Sequence, residues 1–325
     1  VKSSDNREKS SLGRAASSLG RADAILFAAR RFYIDGVARA VISEELGISR
    51  FRVGGLLEEA RSGGYVSIAL MRPDGLDVDR ARALIEKTPL DRALVSPTLV
   101  EGDLATVLAG AAGGYLTENL GPNAILGLSS GRTTHMIARS TQRLACSAIV
   151  QTTGVVKVDT LTESPIETIR RLAQLSGADS YPMYAPGLLP SPDLTQAVAA
   201  EPGIARTVAM FPQITTLVAS IATWGPYTSV FHDACDAEAL AEIKKTAPAA
   251  EIIGTLIDAD GTIVSPEFTR RCVAMQTEHL RSVPDVVGIG GGDHQHDAVL
   301  AAVRSGIINT LVTDAATADY VLENM

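Results

Sequence analysis

Aromatic residues are scarce in this chain: they make up 4% of its 325 residues and include a single tryptophan, Trp224. That excludes a sugar-stacking groove and an aromatic platform for single-stranded nucleic acid. Cysteine is scarcer still. Cys146, Cys235 and Cys272 lie far apart and form no CxxC pattern, which excludes a disulfide scaffold and a multi-cysteine zinc module and fits a reducing compartment. No apolar run reaches the roughly 18 residues of a membrane-spanning helix. Residues 1–19 are rich in Ser, Arg and Lys with no apolar centre, so they are not a secretory signal. A cytoplasmic protein without membrane contact is expected.

What is present is apolar bulk. Hydrophobic residues make up 46%, enough for a sizeable core, and the length suits about two domains. The net charge of −8 is unevenly spread. Residues 1–75 carry 12 Lys and Arg against 9 Asp and Glu, net +3, while the remainder carries 17 against 28, net −11. A mildly basic N-terminal piece on an acidic body suggests divided labour.

Residues 1–20 read as a disordered polar tail, 21–72 as a small helical domain, 73–89 as a connector with a helix over 79–87, and 90–325 as a larger second domain. Helices are expected over 24–34, 39–46 and 50–62, with a strand over 65–71 placed to form a wing. From residue 90 onward strands alternate with helices. Strands are expected at 124–128, 148–152, 216–220, 252–256, 286–289 and 310–312. Helices are expected at 104–118, 132–144, 166–175, 237–245, 266–280 and 296–305. This alternation predicts an α/β fold with a mostly parallel sheet.

Residues 41–57 read VISEELGISRFRVGGLL. Ser43 is small where two helices cross, Gly47 permits the bend with positive φ, and Ile42, Leu46, Ile48, Val53 and Leu56 are spaced to pack the helices together. This is a helix-turn-helix pattern. Ser49, Arg50, Phe51 and Arg52 then occupy the exposed start of the second helix, the part that enters a major groove. Arginines there can pair with guanine edges or hold phosphates. Gly54 and Gly55 interrupt the same helix, each at a cost of up to about 1 kcal/mol relative to alanine.

Residues 125–134 combine a buried-strand pattern, a Ser129-Ser130-Gly131 turn and a helix start at Arg132-Thr133-Thr134. Converging amides, the helix dipole and hydroxyl donors make an anion site, and Arg132 can neutralise a phosphate. The spacing is neither a Walker A loop nor GxGxxG. A second glycine cluster, GIGGGDHQHDAV at 288–299, again follows a strand and precedes a helix. Gly290–Gly292 allows close backbone approach to a ligand. His294 and His296, two apart, point apart on a helix, so no metal is expected there. Asp258 and Asp260 read as turn formers.

The order of these segments resembles the SorC family of sugar-binding bacterial transcriptional regulators. The resemblance is carried by residues 28–68 around the GIS turn, by GLSSGRT at 127–133, YPMYAP at 181–186, GTLIDADG at 254–261 and the stretch 291–314 that opens on GGDHQHDA. It implies a (winged) helix-turn-helix domain joined to a larger α/β effector domain similar to ribose-5-phosphate isomerases and glucosamine-6-phosphate deaminases. It implies a non-enzymatic regulator of a carbohydrate operon that binds double-stranded operator DNA as a homodimer or homotetramer. No cofactor is implied; the effector would be a phosphorylated sugar or polyol. By the same resemblance, Gly127 and Ser129 through Thr133 would cradle its phosphate, Asp258 would bond its hydroxyls, and Gly291, Gly292 and Gln295 would complete the site. Two positions depart from the family pattern: Gln295 stands where it has Lys, and Gly55 where it has Arg. Two other readings follow from single residues. An isomerase or deaminase would use Asp258 as its base, and a sensor that has lost DNA binding would explain Gly54 and Gly55.

Overall fold

In the computed structural model, residues 20–63, 65–66, 75–97, 104–141, 143–156 and 165–325 are described, the side chain of Arg132 excepted. The chain divides into two units, Val1–Ala69 and Leu70–Met325.

In the first unit the helix Arg21–Ala29 runs straight into a π-turn, Arg30–Ile34. Asp35 and the left-handed Gly36 (φ 67°) end it. The next helix, Arg39–Leu46, stops at Gly47, whose φ of 65° suits a residue without Cβ. Within the turn the Ser43 hydroxyl donates to the Ile48 carbonyl at 2.5 Å. Ser49 caps the third helix, Arg50–Ser62, by accepting the Arg52 amide, as its residue type predicts. Ile25, Ala28, Ile42, Leu46, Val53, Leu57 and Ala60 form one buried cluster. Each large aliphatic side chain buried this way contributes about 1.5–3 kcal/mol. The Arg31 guanidinium grips Glu45 with two bonds, at 2.9 and 2.5 Å, tying the π-turn to the second helix. The expected wing lies mostly outside the described residues: Tyr65 and Val66 are irregular, and 67–71 are not described, nor are 1–19 of the tail.

The second unit is built on seven strands: β1 Arg92–Ser96, β2 Ile125–Leu128, β3 Ala148–Gln151, β4 Asp179–Tyr181, β5 Thr216–Ser220, β10 Asp285–Ile289 and β11 Thr310–Asp314. They are all parallel, in the order β1-β11-β10-β5-β2-β3-β4. The α/β expectation therefore holds. A smaller antiparallel sheet, β6 Ala222–Thr223, β7 Pro248–Ile252, β8 Thr255–Asp258 and β9 Ile263–Val264, leaves the carboxyl end of β5. Strands buried on both faces read as unbroken apolar runs, and β3 and β11 are buried along their whole length.

Several elements differ from the reading of the sequence. The strand expected at 252–256 is the turn of the β7–β8 hairpin, with Ile253 (φ 52°) and Gly254 (φ 75°) both left-handed. Ile-Gly takes the place of the usual Asn-Gly there, so the run looked like a continuous strand. The helix expected at 266–280 is two short ones, Pro266–Arg271 and Thr277–Leu280. Between them Cys272 and Ala274 pair with Leu188 and Thr153. The helix beginning at Arg132 ends at Ser140, short of 144. The helix expected in the connector, Val78–Lys87, belongs to the second unit. The amide of Asp77, its N-cap, donates to Val95 of β1, and Arg80 pairs bidentately with Asp319 on the helix Ala315–Asn324.

Candidate functional site

In an open parallel sheet, ligands bind outside the carboxyl ends of the strands, where the strand order reverses. Here the chain moves outward from β2 to β3 and β4, then returns to β5 and moves the other way to β10 and β11. The reversal lies between β2 and β5, and Ser129-Ser130-Gly131 sits on it. The Ser129 amide extends the ladder by donating to Val218. Its buried hydroxyl accepts the Ser220 amide at 3.3 Å and meets the Thr134 hydroxyl at 3.4 Å. The Ser130 amide donates to the Thr153 hydroxyl at 2.9 Å, and that hydroxyl donates to Ser130 Oγ at 2.7 Å. Gln151, buried at the end of β3, fixes Thr153 in turn: its amide nitrogen donates to the Thr153 carbonyl at 2.7 Å. Its oxygen accepts the Met183 amide at 3.1 Å.

Gly131 is extended (φ 163°, ψ 165°) and opens the helix Arg132–Ser140. Ser129, Ser130, Gly131 and Gln151, with Thr134, His135, Pro165, Thr168 and Ile169, line a pocket of about 10 Å³, the space of one water-sized group. His135 Nδ1 lies 3.2 Å from the Thr168 hydroxyl. The start of a helix, two hydroxyls and bare backbone thus converge where an anion's oxygen fits.

The second glycine loop follows β10, on the other side of β5. Gly292 donates to the Asp314 carboxylate at 2.7 Å and to Thr317 Oγ1 at 3.1 Å. Asp314 also caps the last helix through the amides of Ala316 and Thr317. Burial pushes its carboxyl upward, but the Thr317 hydroxyl and the Gly292 and Thr317 amides outweigh that and hold it below the usual carboxylate range. A Cβ at Gly291 would overlap that carboxylate.

Of the residues expected at the site, the structure brings together Ser129, Ser130, Gly131 and the backbone of Arg132 and Thr133 on the first loop. Gly291 and Gly292 are on the second. Three others have different places. Gly127 is inside β2, where a Cβ would strike Ile214 and Leu217 at 2.9–3.0 Å; it is a packing glycine. Gln295 is turned inward. Its oxygen accepts the Gly291 amide at 2.8 Å and its nitrogen donates to the Ile221 carbonyl at 3.2 Å. Asp258 lies at the other end of the sheet. Its carboxylate accepts the amides of Asp260 and Thr262, and the next carbonyl, Ala259, accepts Arg304. Arg304 is on the last turn of His296–Ser305, a helix about 15 Å long that starts beside the glycine loop. His294 is exposed and His296 stacks on Tyr320. Among the described residues no group of His, Cys, Asp and Glu gathers as for a metal ion.

Ser220 was missed by sequence reading. It ends β5 between the two loops, and its hydroxyl is buried without a hydrogen-bond partner among the described residues. A Cβ on Gly131 would lie 3.3 Å from it. A serine closing an apolar strand carries no motif; only the sheet order gives it meaning.

Residues 75–323 match the Sugar-bind family model, described as "Putative sugar-binding domain". The chain belongs to this family. That match covers nearly all of the second unit, Leu70–Met325. The chain is 24% identical over 317 residues to the transcriptional regulator YjhU of Escherichia coli, covering 92% of this chain and 94% of that one. It is 26% identical over 305 residues to the deoxyribonucleoside regulator of Bacillus subtilis, covering 92% and 96%. Among solved structures, the full-length sorbitol operon regulator SorC from Klebsiella pneumoniae superposes with a TM-score of 0.69 at 20% identity, covering 92% of this chain and 98% of that one. That likeness extends the shared fold of the Sugar-bind domain to the N-terminal helices. The resemblance to SorC regulators read from the sequence motifs is borne out. No described helix is long and apolar enough to cross a membrane.

Proposed function

We infer that this Sugar-bind protein is a sugar-responsive transcriptional regulator whose effector carries a phosphate. The observation that carries the phosphate reading is the loop at the strand-order reversal. Ser129, Ser130 and the start of the helix Arg132–Ser140 converge there, beside a serine hydroxyl that has no partner among the described residues. Gly291 and Gly292 would face the sugar from the far side of β5. In the first unit, Ser49, Arg50, Phe51 and Arg52 would meet operator DNA, with the helix Arg39–Leu46 bracing the turn. A homodimer or homotetramer would present recognition helices in pairs to a two-fold operator. Effector that binds one quaternary arrangement better than another then shifts DNA affinity by linkage.

The test is fluorescence anisotropy of the full chain on DNA upstream of its own operon. It is run at two salt concentrations with and without a panel of sugar and polyol phosphates. Selective binding that one phosphate changes, and that falls steeply with salt, is the expected result. A response to the unphosphorylated sugar alone would sink the phosphate reading. Equal binding to random DNA under every condition would sink the regulator.

A further inference from the structure

Phe51 is the second residue of the helix Arg50–Ser62 and is 92% exposed, the highest of the large apolar side chains among the described residues. The buried face of that helix is Val53, Leu57 and Ala60. Phe51 and Gly55 each sit two residues from Val53, about 200° around the helix, so both point directly away from the core. One turn along from the ring, at the i+3 and i+4 positions that would flank it, stand Gly54 and Gly55. A Cβ at either would meet nothing within 4 Å. The outward face therefore carries a phenyl ring at the start of the helix, bordered by the exposed Arg50 and Arg52, and one turn further on bare backbone at Gly54 and Gly55.

Charge argues what this face meets. The two arginines beside the ring, with the net positive N-terminal segment, suit a polyanion. The missing side chains at 54 and 55 let the helix backbone sink further into a groove than a longer side chain would allow. A phenyl ring offers no hydrogen bond, so it cannot read guanine, cytosine or adenine edges. In the major groove the one apolar group on a base edge is the thymine methyl.

We propose that Phe51 reads a thymine C5-methyl in the major groove, with Gly54 and Gly55 providing the close approach that brings the ring to it. This rests on the DNA-reading role assigned above. It makes Phe51 a specificity-determining residue, and the arginines beside it phosphate or guanine contacts.

The experiment replaces thymines of the operator, one at a time, with deoxyuridine, which deletes only the methyl. Full-length protein is titrated by anisotropy at fixed salt. At one thymine per half-site the wild type loses about three- to five-fold in affinity, the worth of one buried methyl group. Phe51→Ala loses a similar factor on the natural operator and is indifferent to deoxyuridine at that thymine, while keeping its response elsewhere. Because Phe51 packs against no core residue, its melting temperature stays that of wild type. Wild-type binding that is selective yet insensitive to deoxyuridine everywhere would overturn the Phe51 assignment and leave the regulator standing. So would a Phe51→Ala variant that keeps the deoxyuridine response. No selective binding to any duplex would overturn both. Gly55→Leu adds an independent check: leucine favours the helix and meets nothing there, so the variant melts at or above the wild-type temperature; it lowers operator affinity if close approach matters, and leaves affinity unchanged if it does not.

Discussion

Gln295 accepts the Gly291 amide through its side-chain oxygen at 2.8 Å, and its nitrogen reaches across to the Ile221 carbonyl at 3.2 Å. The residue thus braces the second glycine loop against the end of β5. Lysine, which the SorC-type motif has at this position, has three donors and no acceptor. Gln295→Lys would leave the Gly291 amide unpaired while adding a cation. The expected result is a loss of about 1–3 kcal/mol in urea unfolding, with tighter binding of sugar phosphates by calorimetry. Unchanged stability would show that the brace does not hold the loop.

Asp314 binds both glycine loop and last helix, so its removal has two costs. Asp314→Ala loses an N-cap, about 0.5–2 kcal/mol, and strips the Gly292 amide of its anionic partner. A total loss of roughly 2–4 kcal/mol in denaturant unfolding is expected. The carboxyl is held below its ordinary value, so its contribution is present above about pH 3.9 and is lost as pH falls through the lower folded value. The gap between wild type and Asp314→Ala should close below pH 4. A gap that stays constant from pH 7 to pH 3 would contradict the assignment.

Much of this was legible because local chemistry and global fold agree. Gly47 and Ser49 announced the turn and cap they form, and Leu128-Ser129-Ser130-Gly131 announced a strand, a loop and a helix start. The misreadings share one cause: pattern reports an element but not its place. Asp258 lies on a tight turn as expected, yet the turn is at the end of the sheet away from the loops. Ile253-Gly254 is a two-residue hairpin turn hidden in an apolar run. Gly127 falls in the motif that carries the family resemblance but serves strand packing. Ser220 carried no signal at all, because its position depends on β5 lying between β2 and β10.

Glu251 gives the opposite pH signature to Asp314. It is enclosed in the antiparallel sheet, accepting the Gly254 amide at 2.6 Å and the Ser229 hydroxyl at 3.1 Å. Burial pushes its carboxyl up, and those two donors only partly offset it. The folded protein therefore keeps this proton to higher pH than the unfolded chain. Its stability contribution is fully present below about pH 4.3 and is lost as pH rises toward the folded value. Glu251→Gln keeps an acceptor for Gly254 and removes the titration. The variant should gain on wild type in parallel melting curves as pH rises above about 4.3, and the gain should level off once pH passes the raised folded value. A difference independent of pH would show that Glu251 does not titrate in this range.

Ser220 separates a binding role from a structural one. A buried hydroxyl without a partner contributes nothing to folding and has a desolvation cost, so its deletion should not destabilise the protein. Ser220→Ala is expected to unfold at the wild-type urea midpoint or up to about 1 kcal/mol above it. If the hydroxyl is kept at the meeting of the two loops for a ligand, the same variant loses a hydrogen bond to a charged group, about 1.5–3 kcal/mol, or roughly 10- to 100-fold in effector affinity. The effector-induced change in DNA binding then needs correspondingly more sugar phosphate, while DNA affinity without effector is unaltered. Equal loss of stability and of binding would mean that Ser220 merely shapes the end of β5. A stable variant with weakened effector response would place the sugar phosphate between Ser129 and Gly291, over the point where the strand order reverses.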